Sequence, residues 1–222
     1  GQYDNTNVPK SLEEIKLTNS TVISNEAFYY CANLKNIELS DGVDRIGYRA
    51  FEGCSNLTSL RVPDSVVEIG NAVFSDCVNL KDIILSKNIN MIGDYAFRNC
   101  SSLESVDLPN NLTSIGEFAF SGCSKLTNFV ISDKVTNIGI GAFQCWSNLN
   151  KIVIPYNVKS IGKQAFYKCN NLNQIEFENK VGWYYTFSYN STVGYDIDVN
   201  DSNLNAVNMQ GEYLYRYLKR NN

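Results

Sequence analysis

Apolar residues recur along this chain with a period of 23 residues. Three of the recurring positions form columns of seven equivalent residues each. The columns are Ile23, Ile46, Ile69, Ile92, Ile115, Ile138 and Ile161; Phe28, Phe51, Phe74, Phe97, Phe120, Phe143 and Phe166; and Leu34, Leu57, Leu80, Leu103, Leu126, Leu149 and Leu172. A fixed period in the range of about 20 to 50 residues is typical of repeat proteins, in which each unit buries its apolar face against its neighbours.

Each repeat unit combines a strand pattern with a short turn pattern. Residues 57–62 alternate apolar and polar side chains near their end, as a half-buried strand does. Residues 47–54 are too few for a full helix and predict a helical or 3-10 turn that begins at a glycine. We therefore predict an α/β fold, a right-handed leucine-rich repeat solenoid of mostly parallel β-strands with short helical or 3-10 turns. About seven rungs, with parallel strands along one face, would span about 30–35 Å.

Six cysteines follow the same period, and Trp146 takes the place of the missing one, next to Cys145. The six are Cys31, Cys54, Cys77, Cys100, Cys123 and Cys169. Equivalent residues on adjacent rungs would lie ~4.8 Å apart, which is within the Cα range of a disulfide. Stacked side chains point in the same direction, however, and buried cysteine behaves as a small hydrophobic residue. We predict that this ladder is reduced and buried.

The repeated run Ile-Gly-x-x-Ala-Phe-x-x-Cys-x-x-Leu-x-x-Ile resembles the BspA-like branch of leucine-rich repeats. The resemblance covers residues 9–177, with a partial first unit that is one residue short. Members of that branch are mostly large bacterial, and some protist, cell-surface proteins implicated in adhesion and protein binding. The resemblance therefore implies a non-enzymatic, cell-surface or secreted adhesion module that contacts protein or glycan ligands. The alternative is a structural spacer or stalk within a larger multidomain surface protein.

The repeat ends after Phe177, so we predict a solenoid over residues 1–177 and an aromatic-rich, β-type capping region over residues 178–222. The aromatic residues of this tail either pack on the last rung or bind a glycan or peptide by stacking, and both interpretations stay open. A run that begins at Asp196 resembles the start of a calcium loop. It has Asp201 where that loop needs glycine and Val207 where it needs glutamate, so we predict a solvated turn there.

Composition and charge argue against several classes of function and partner. The net charge of −4 and the absence of a basic run disfavour a nucleic-acid partner. No apolar stretch reaches the ~18–20 residues that a membrane span needs.

The chain contains no histidine and no C-x-x-C pair, and its acidic residues are scattered, so we predict no catalytic residue, metal site or cofactor. Gly1 in place of an initiator methionine suggests a trimmed chain or a mature fragment whose export signal was removed, so the lack of a signal does not indicate a cytoplasmic protein. The extracellular or cell-surface location that we expect is what the resemblance implies.

The residue between the two inward-facing positions of each strand changes from unit to unit. We predict that this column forms the ligand-binding face, which consists of Glu38, Arg61, Ile84, Asp107, Val130, Val153 and Glu176. Its apolar centre and charged ends resemble an interface with an apolar core and a polar rim. β-Branched residues also favour strands for their own sake, so Val130 and Val153 leave both interpretations open.

Overall fold

The computed structural model describes residues 8–18, 21–127, 129–186, 195–196 and 217–220. These residues wind into a β-solenoid of about seven turns. The strands are β1 (Glu14–Leu17), β2 (Val22–Ile23), β3 (Asn36–Leu39), β4 (Arg45–Ile46), β5 (Ser59–Arg61), β6 (Glu68–Ile69), β7 (Asp82–Ile84), β8 (Met91–Ile92), β9 (Ser105–Val106), β10 (Ser114–Ile115), β11 (Asn137–Ile138), β12 (Lys151–Ile154), β13 (Ser160–Ile161), β14 (Gln174–Phe177), β15 (Trp183–Thr186), β16 (Tyr195–Asp196) and β17 (Tyr217–Arg220). The predicted leucine-rich repeat solenoid is thereby confirmed.

One side of the solenoid, which we call the front face, carries the strands predicted from sequence. These strands pair in parallel as β1–β3, β5–β7–β9 and β12–β14. Ser59 lies opposite Asp82, one full period of 23 residues along the chain, whereas Glu14 lies opposite Asn36, which is one residue less. The register therefore accommodates the short first unit between β1 and β2.

A second side, the back sheet, carries a ladder that the sequence pattern did not predict. The two-residue strands β6, β8, β10, β11 and β13 pair in parallel, and β2 pairs with β4 in the same way. Each of these strands ends on the buried isoleucine of the repeat. The sequence pattern predicted the strands of the front face and missed this second ladder, because two residues are too few to show an alternating pattern.

The third side, the turn face, holds the segments that begin at each repeat glycine, and it contains no helix among the described residues. In the segment after Gly47, the amides of Arg49, Phe51 and Gly53 donate to carbonyls of the next unit at 2.8–3.1 Å. The intervening amides of Ala50 and Glu52 close tight turns within the segment. Alternate amides thus join neighbouring units, whereas a helix would keep them all inside one segment. The predicted helical turns are therefore wrong, and the α/β label is loose.

Phenylalanine rings form the spine of the core. The rings of Phe51 and Phe74 stack with centroids 5.7 Å apart, and those of Phe97 and Phe120 lie 5.2 Å apart. Every ring of the column is buried except Phe28, which is half-buried in the first unit. The Leu column is also buried throughout, so the predicted stacking of units around a common core is confirmed.

The back sheet continues into the C-terminal tail. β17 lies between β13 and β15 and pairs antiparallel with both. The buried Trp183 ring packs 5.0 Å from Phe177, centroid to centroid, and its indole N–H donates to the Asn179 carbonyl at 2.8 Å. Trp183 therefore packs as a capping residue. Phe187, most of the tail tyrosines and the calcium-like run from residue 197 lie outside the described residues, and the division of the chain at residue 177 stays a prediction.

Candidate binding surfaces

The two acidic residues at the ends of the predicted binding column are engaged by lysines. Glu38 forms an ion pair with Lys16, its partner in the register of β1 and β3, at 2.8 Å. Glu176 forms an ion pair with Lys151 at 3.0 Å. All four side chains are exposed, and exposed pairs of this kind contribute only about 0–1 kcal/mol to stability. Their effect is to neutralise both ends of the face.

Arg61 and Ile84 are one pair of predicted residues that the structure brings together. They are register partners on β5 and β7, and Ile84 is 64% exposed. Both line a depression of about 250 Å³ on the front face. Its remaining walls are Asn36, Ile37, Ser59, Leu60 and Asp82. An exposed apolar side chain thus lies beside a guanidinium group within a mostly polar rim.

The front face is interrupted between β9 and β12. Asp107 follows β9 and is exposed, whereas Val130 is 81% exposed and belongs to no strand. Val153 lies in β12, where it is half-buried and pairs with Glu176 in the register. The described residues 129–131 add no strand that would join Val130 to Val153. Val130 and Val153 are therefore not joined through neighbouring strands at the described residues, although the repeat places them one unit apart.

Two large aromatic residues explain the interruption. Phe129 occupies the position that Val106 holds one unit earlier, and Trp146 occupies the position of Cys123. Both are buried, and their ring centroids lie 4.9 Å apart. Trp146 and Phe129 also stand between Phe120 and Phe143 in the aromatic spine. Because protein interiors have no spare volume, two larger side chains in one unit displace the local backbone from the ladder.

Thiols of the cysteine ladder form hydrogen bonds with main-chain carbonyls and no disulfides with one another. The thiol of Cys100 donates to the carbonyl of Phe74 at 3.1 Å, and Cys169 donates to Phe143 at 3.0 Å. The same contact is made from Cys54, Cys77 and Cys123. All seven cysteines are free, and the six of the ladder are buried, as predicted. Trp146 donates its indole N–H to the Phe120 carbonyl in the same way.

Burial makes these thiols unreactive. It raises the pKa of Cys54 and of Cys169 to about 12, and it raises the pKa of Cys77 and of Cys100 well above the ordinary value. The thiolate is the reactive form of cysteine, so a thiol that stays neutral is a poor nucleophile. The ladder is therefore structural. Its hydrogen bonds were not predicted, although the exchange of cysteine for tryptophan, another side chain with a donor, was a usable signal.

Two further features are absent from the part of the chain that the structure describes. No group of three or more acidic or cysteine side chains there is placed to hold a metal ion. The described residues also include no helix with the length and apolarity of a membrane span.

Comparison with known proteins identifies the repeat. The model of the BspA type leucine rich repeat region, with six copies, matches residues 6–113 and 90–209. The chain belongs to the BspA-type leucine-rich repeat family. No curated protein matches the chain.

Solved structures share the BspA-type solenoid. A leucine-rich repeat protein from Bacteroides ovatus is 27% identical, with a TM-score of 0.62 over 75% of this chain and 49% of that one. The T. pallidum leucine rich repeat protein is also 27% identical, with a TM-score of 0.53 over 74% of this chain and 70% of that one. A leucine rich cell surface protein from Faecalibacterium prausnitzii, 23% identical with a TM-score of 0.55, shares the fold over 77% of this chain. This chain spans 61% of the F. prausnitzii protein and about half of the B. ovatus protein.

Proposed function

We propose that this chain is a non-enzymatic binding module, displayed at a cell surface or secreted, whose front face contacts a protein or glycan ligand. Membership of the BspA-type family supports a repeat-based binding role. The description of the F. prausnitzii relative as a cell surface protein supports the location. The observation that carries the proposal is the front-face depression that Arg61 and Ile84 line together.

The depression has the chemistry of a small recognition site. Ile84 keeps 64% of its surface in water, and covering that surface with a ligand would contribute about 1–2 kcal/mol. Arg61 is exposed and supplies several N–H donors, and Asp82 on the adjacent strand supplies an acceptor. An apolar contact surrounded by polar groups is the usual arrangement of a specific interface.

The binding role can be tested by exposing the labelled chain to an array of extracellular-matrix proteins and to a glycan array. For any ligand found, Ile84→Asp and Arg61→Ala should each weaken binding by about tenfold, or 1.4 kcal/mol. Val181→Asp is the matched control, because Val181 is 77% exposed and lies outside the front face. Binding that survives both front-face substitutions would place the contact elsewhere. Val130→Asp then reports whether the contact extends past the break in the face.

The location has its own test. An antibody raised against this chain should label intact, unpermeabilised cells of the source organism, or should detect the protein in their medium. Labelling that requires permeabilised cells would contradict the surface assignment.

The spacer role is favoured by one observation, the back-sheet ladder, which runs without a break from β6 to β13. A continuous ladder makes a stiff rod. Removal of one 23-residue unit, 93–115, from the parent protein separates the two roles. A spacer loses reach whichever residues are removed, whereas a binding module that uses Arg61 and Ile84 keeps its ligand.

A further inference from the structure

A cleft of about 450 Å³ opens on the turn face, away from the front face. It spans three consecutive units. The middle unit contributes only the small side chains of Asn71, Ala72 and Ser75, whereas the units on either side present large ones, together with the acidic Asp94. The cleft therefore exists because one unit of the repeat is reduced in size at the variable turn positions.

The first wall of the cleft is held in place by a buried charge. The Nε of Arg49 lies 3.0 Å from the Glu52 carboxylate, which is 9% exposed as a residue. Burial raises the pKa of Glu52, and Arg49 opposes that rise. The Arg49 guanidinium also lies 4.8 Å from the centroid of the Tyr48 ring, which is 41% exposed. Arg49 is thus committed to its own neighbours, and it positions an aromatic ring at the cleft.

The second wall offers a cation, Arg98, that forms no ion pair within the described part of the chain, although its charge acts at longer range on the Glu52 carboxylate. Tyr95 is 37% exposed and stacks on Phe118 with centroids 5.3 Å apart. The exposed Arg98 lies 5.9 Å from the Tyr95 centroid. Among the described residues, no acidic group lies within ion-pair distance of Arg98. Its fork of N–H donors is therefore available to a ligand.

We propose that this cleft binds an acidic sugar unit, with its carboxylate at Arg98 and its ring against Tyr48 and Tyr95. A planar guanidinium binds a carboxylate through two parallel hydrogen bonds. The electron-rich faces of aromatic rings attract the weakly positive C–H groups of a sugar ring. Asn71 and Asp94, which also line the cleft, supply polar groups for the hydroxyl groups.

A peptide fits the cleft less well than a sugar. Peptides bind along free strand edges or insert apolar side chains into pockets. Here the Ala72 amide already donates to the Asp94 carbonyl at 2.8 Å, and Phe74 donates to Ala96 at 2.8 Å. The backbone has no free edge at this point, and the floor is polar. This site is independent of the front-face proposal, since it uses a different side of the solenoid.

Calorimetric titration with two acidic sugars and their neutral counterparts tests the site. The pairs are digalacturonic acid with its methyl ester, and 3′-sialyllactose with lactose. At least one acidic sugar should bind with a Kd of about 1 mM or lower, and its neutral counterpart should bind about tenfold more weakly. Arg98→Gln should remove that difference. Arg45→Gln is the matched control, because Arg45 is an exposed arginine on the back sheet and should leave binding unchanged.

Ala72→Tyr tests the cleft itself. Ala72 has a φ of 55°, and the equivalent residues on either side, Arg49 and Tyr95, adopt 55° and 59° with large side chains. The backbone should therefore accept tyrosine, with a melting temperature close to that of the parent chain, while the new ring fills the cleft and abolishes binding. A sugar that still binds to both Arg98→Gln and Ala72→Tyr overturns the proposal. So does the failure of both acidic sugars to bind at about 10 mM, or an acidic peptide that binds through Arg98 when neither sugar does.

Discussion

Two adjacent repeat units, residues 101–123 and 124–146, have the same length and opposite behaviour on the front face. The first unit forms β9 and carries Val106 and Cys123 at its buried positions. The second carries Phe129 and Trp146 there and contributes no front strand among its described residues. Both units nevertheless keep their back-sheet strands, β10 and β11, in register. The irregularity is thus confined to one side of the solenoid.

The comparison shows what the ladder position requires. Cys123 donates to the Phe97 carbonyl at 3.1 Å, and Trp146 donates to the equivalent carbonyl of Phe120. These carbonyls also accept an amide hydrogen from the residue three positions on in the regular units, as Phe97 does from Cys100. A buried carbonyl gains from a second donor because no water reaches it. The position therefore selects a buried hydrogen-bond donor, and a thiol is only one way to supply it.

High pH should produce the largest loss of stability, because it acts on all the buried thiols of the ladder at once. Trp146 has no thiol and does not contribute to this loss. The folded pKa of Cys54 and of Cys169 is about 12, whereas an unfolded thiol has a pKa of about 8.5. The unfolded chain therefore loses its thiol protons first, so stability is complete below about pH 8.5 and falls as the pH rises towards the folded values. The thiols of Cys54 and Cys169 should each cost about 2 kcal/mol of stability at about pH 10, where only the unfolded thiol is ionised. Urea unfolding midpoints with reductant, at about pH 8 and about pH 10, measure the loss.

The same experiment separates the two kinds of unit. Cys100→Ala should lower the number of protons released on unfolding at about pH 10 by nearly one, whereas Trp146→Phe should leave that number unchanged. A midpoint that does not move between the two pH values would contradict the burial of the ladder.

Truncation of the aromatic core comes next in size. Trp146→Ala and Phe97→Ala should each cost about 3–5 kcal/mol, since both residues are fully buried. Trp146→Phe keeps a ring and removes the N–H group, so it should cost about 1–3 kcal/mol through the lost hydrogen bond and partial loss of packing. Denaturant unfolding measures all three variants. If Trp146→Phe costs nothing, the donor is not what this position requires.

The sequence was sufficient for the repeat, the core columns and the buried thiols, because each of these recurs at a fixed spacing of 23 residues. It was insufficient for the back sheet, whose two-residue strands show no alternation, and for the turn face. There, Arg49 and Tyr95 adopt a positive φ that their residue types do not favour. Contacts between successive units impose that conformation through amide hydrogen bonds, and such contacts leave no local signal.

The binding surfaces were predictable only in part. The variable column correctly identified outward positions such as Ile84, because period-two alternation decides which side of a strand is exposed. It did not reveal the break at Val130, since Phe129 reads as one more apolar residue in a strand. The cleft on the turn face depends on the size of Ala72 relative to Arg49 and Tyr95, which is visible only when three units are stacked.

Glycine substitutions should lower the unfolding free energy by less than the aromatic truncations and by more than the front-face substitutions. The losses should be similar in both units, because both units keep their back-sheet strands. A Cβ at Gly116 would lie 2.6 Å from the Gly93 carbonyl carbon, and one at Gly139 would lie 2.4 Å from that of Gly116. Both contacts are with backbone, so Gly116→Ala and Gly139→Ala should each cost about 1–3 kcal/mol. Gly70→Ala is the matched control, because its nearest contact is an ordinary 3.4 Å from the Ile46 carbonyl oxygen. It should change the unfolding free energy by less than about 1 kcal/mol in either direction. Equal losses at all three glycines would contradict the close approach of the units.

The smallest effects are expected on the front face, where the break itself can be measured. Val130 is 81% exposed and lies outside any strand, so Val130→Glu should change the unfolding free energy by less than about 0.5 kcal/mol. Val153 is half-buried in β12, and Val153→Lys should cost slightly more, about 0.5–1 kcal/mol. Its register partner Glu176 would attract the new charge, but Glu176 is already paired with Lys151 at 3.0 Å, so the gain is small. Thermal unfolding of the two single variants and the double variant measures the difference. A larger loss for Val130→Glu than for Val153→Lys would mean that Val130 packs within the sheet and that the front face is continuous after all.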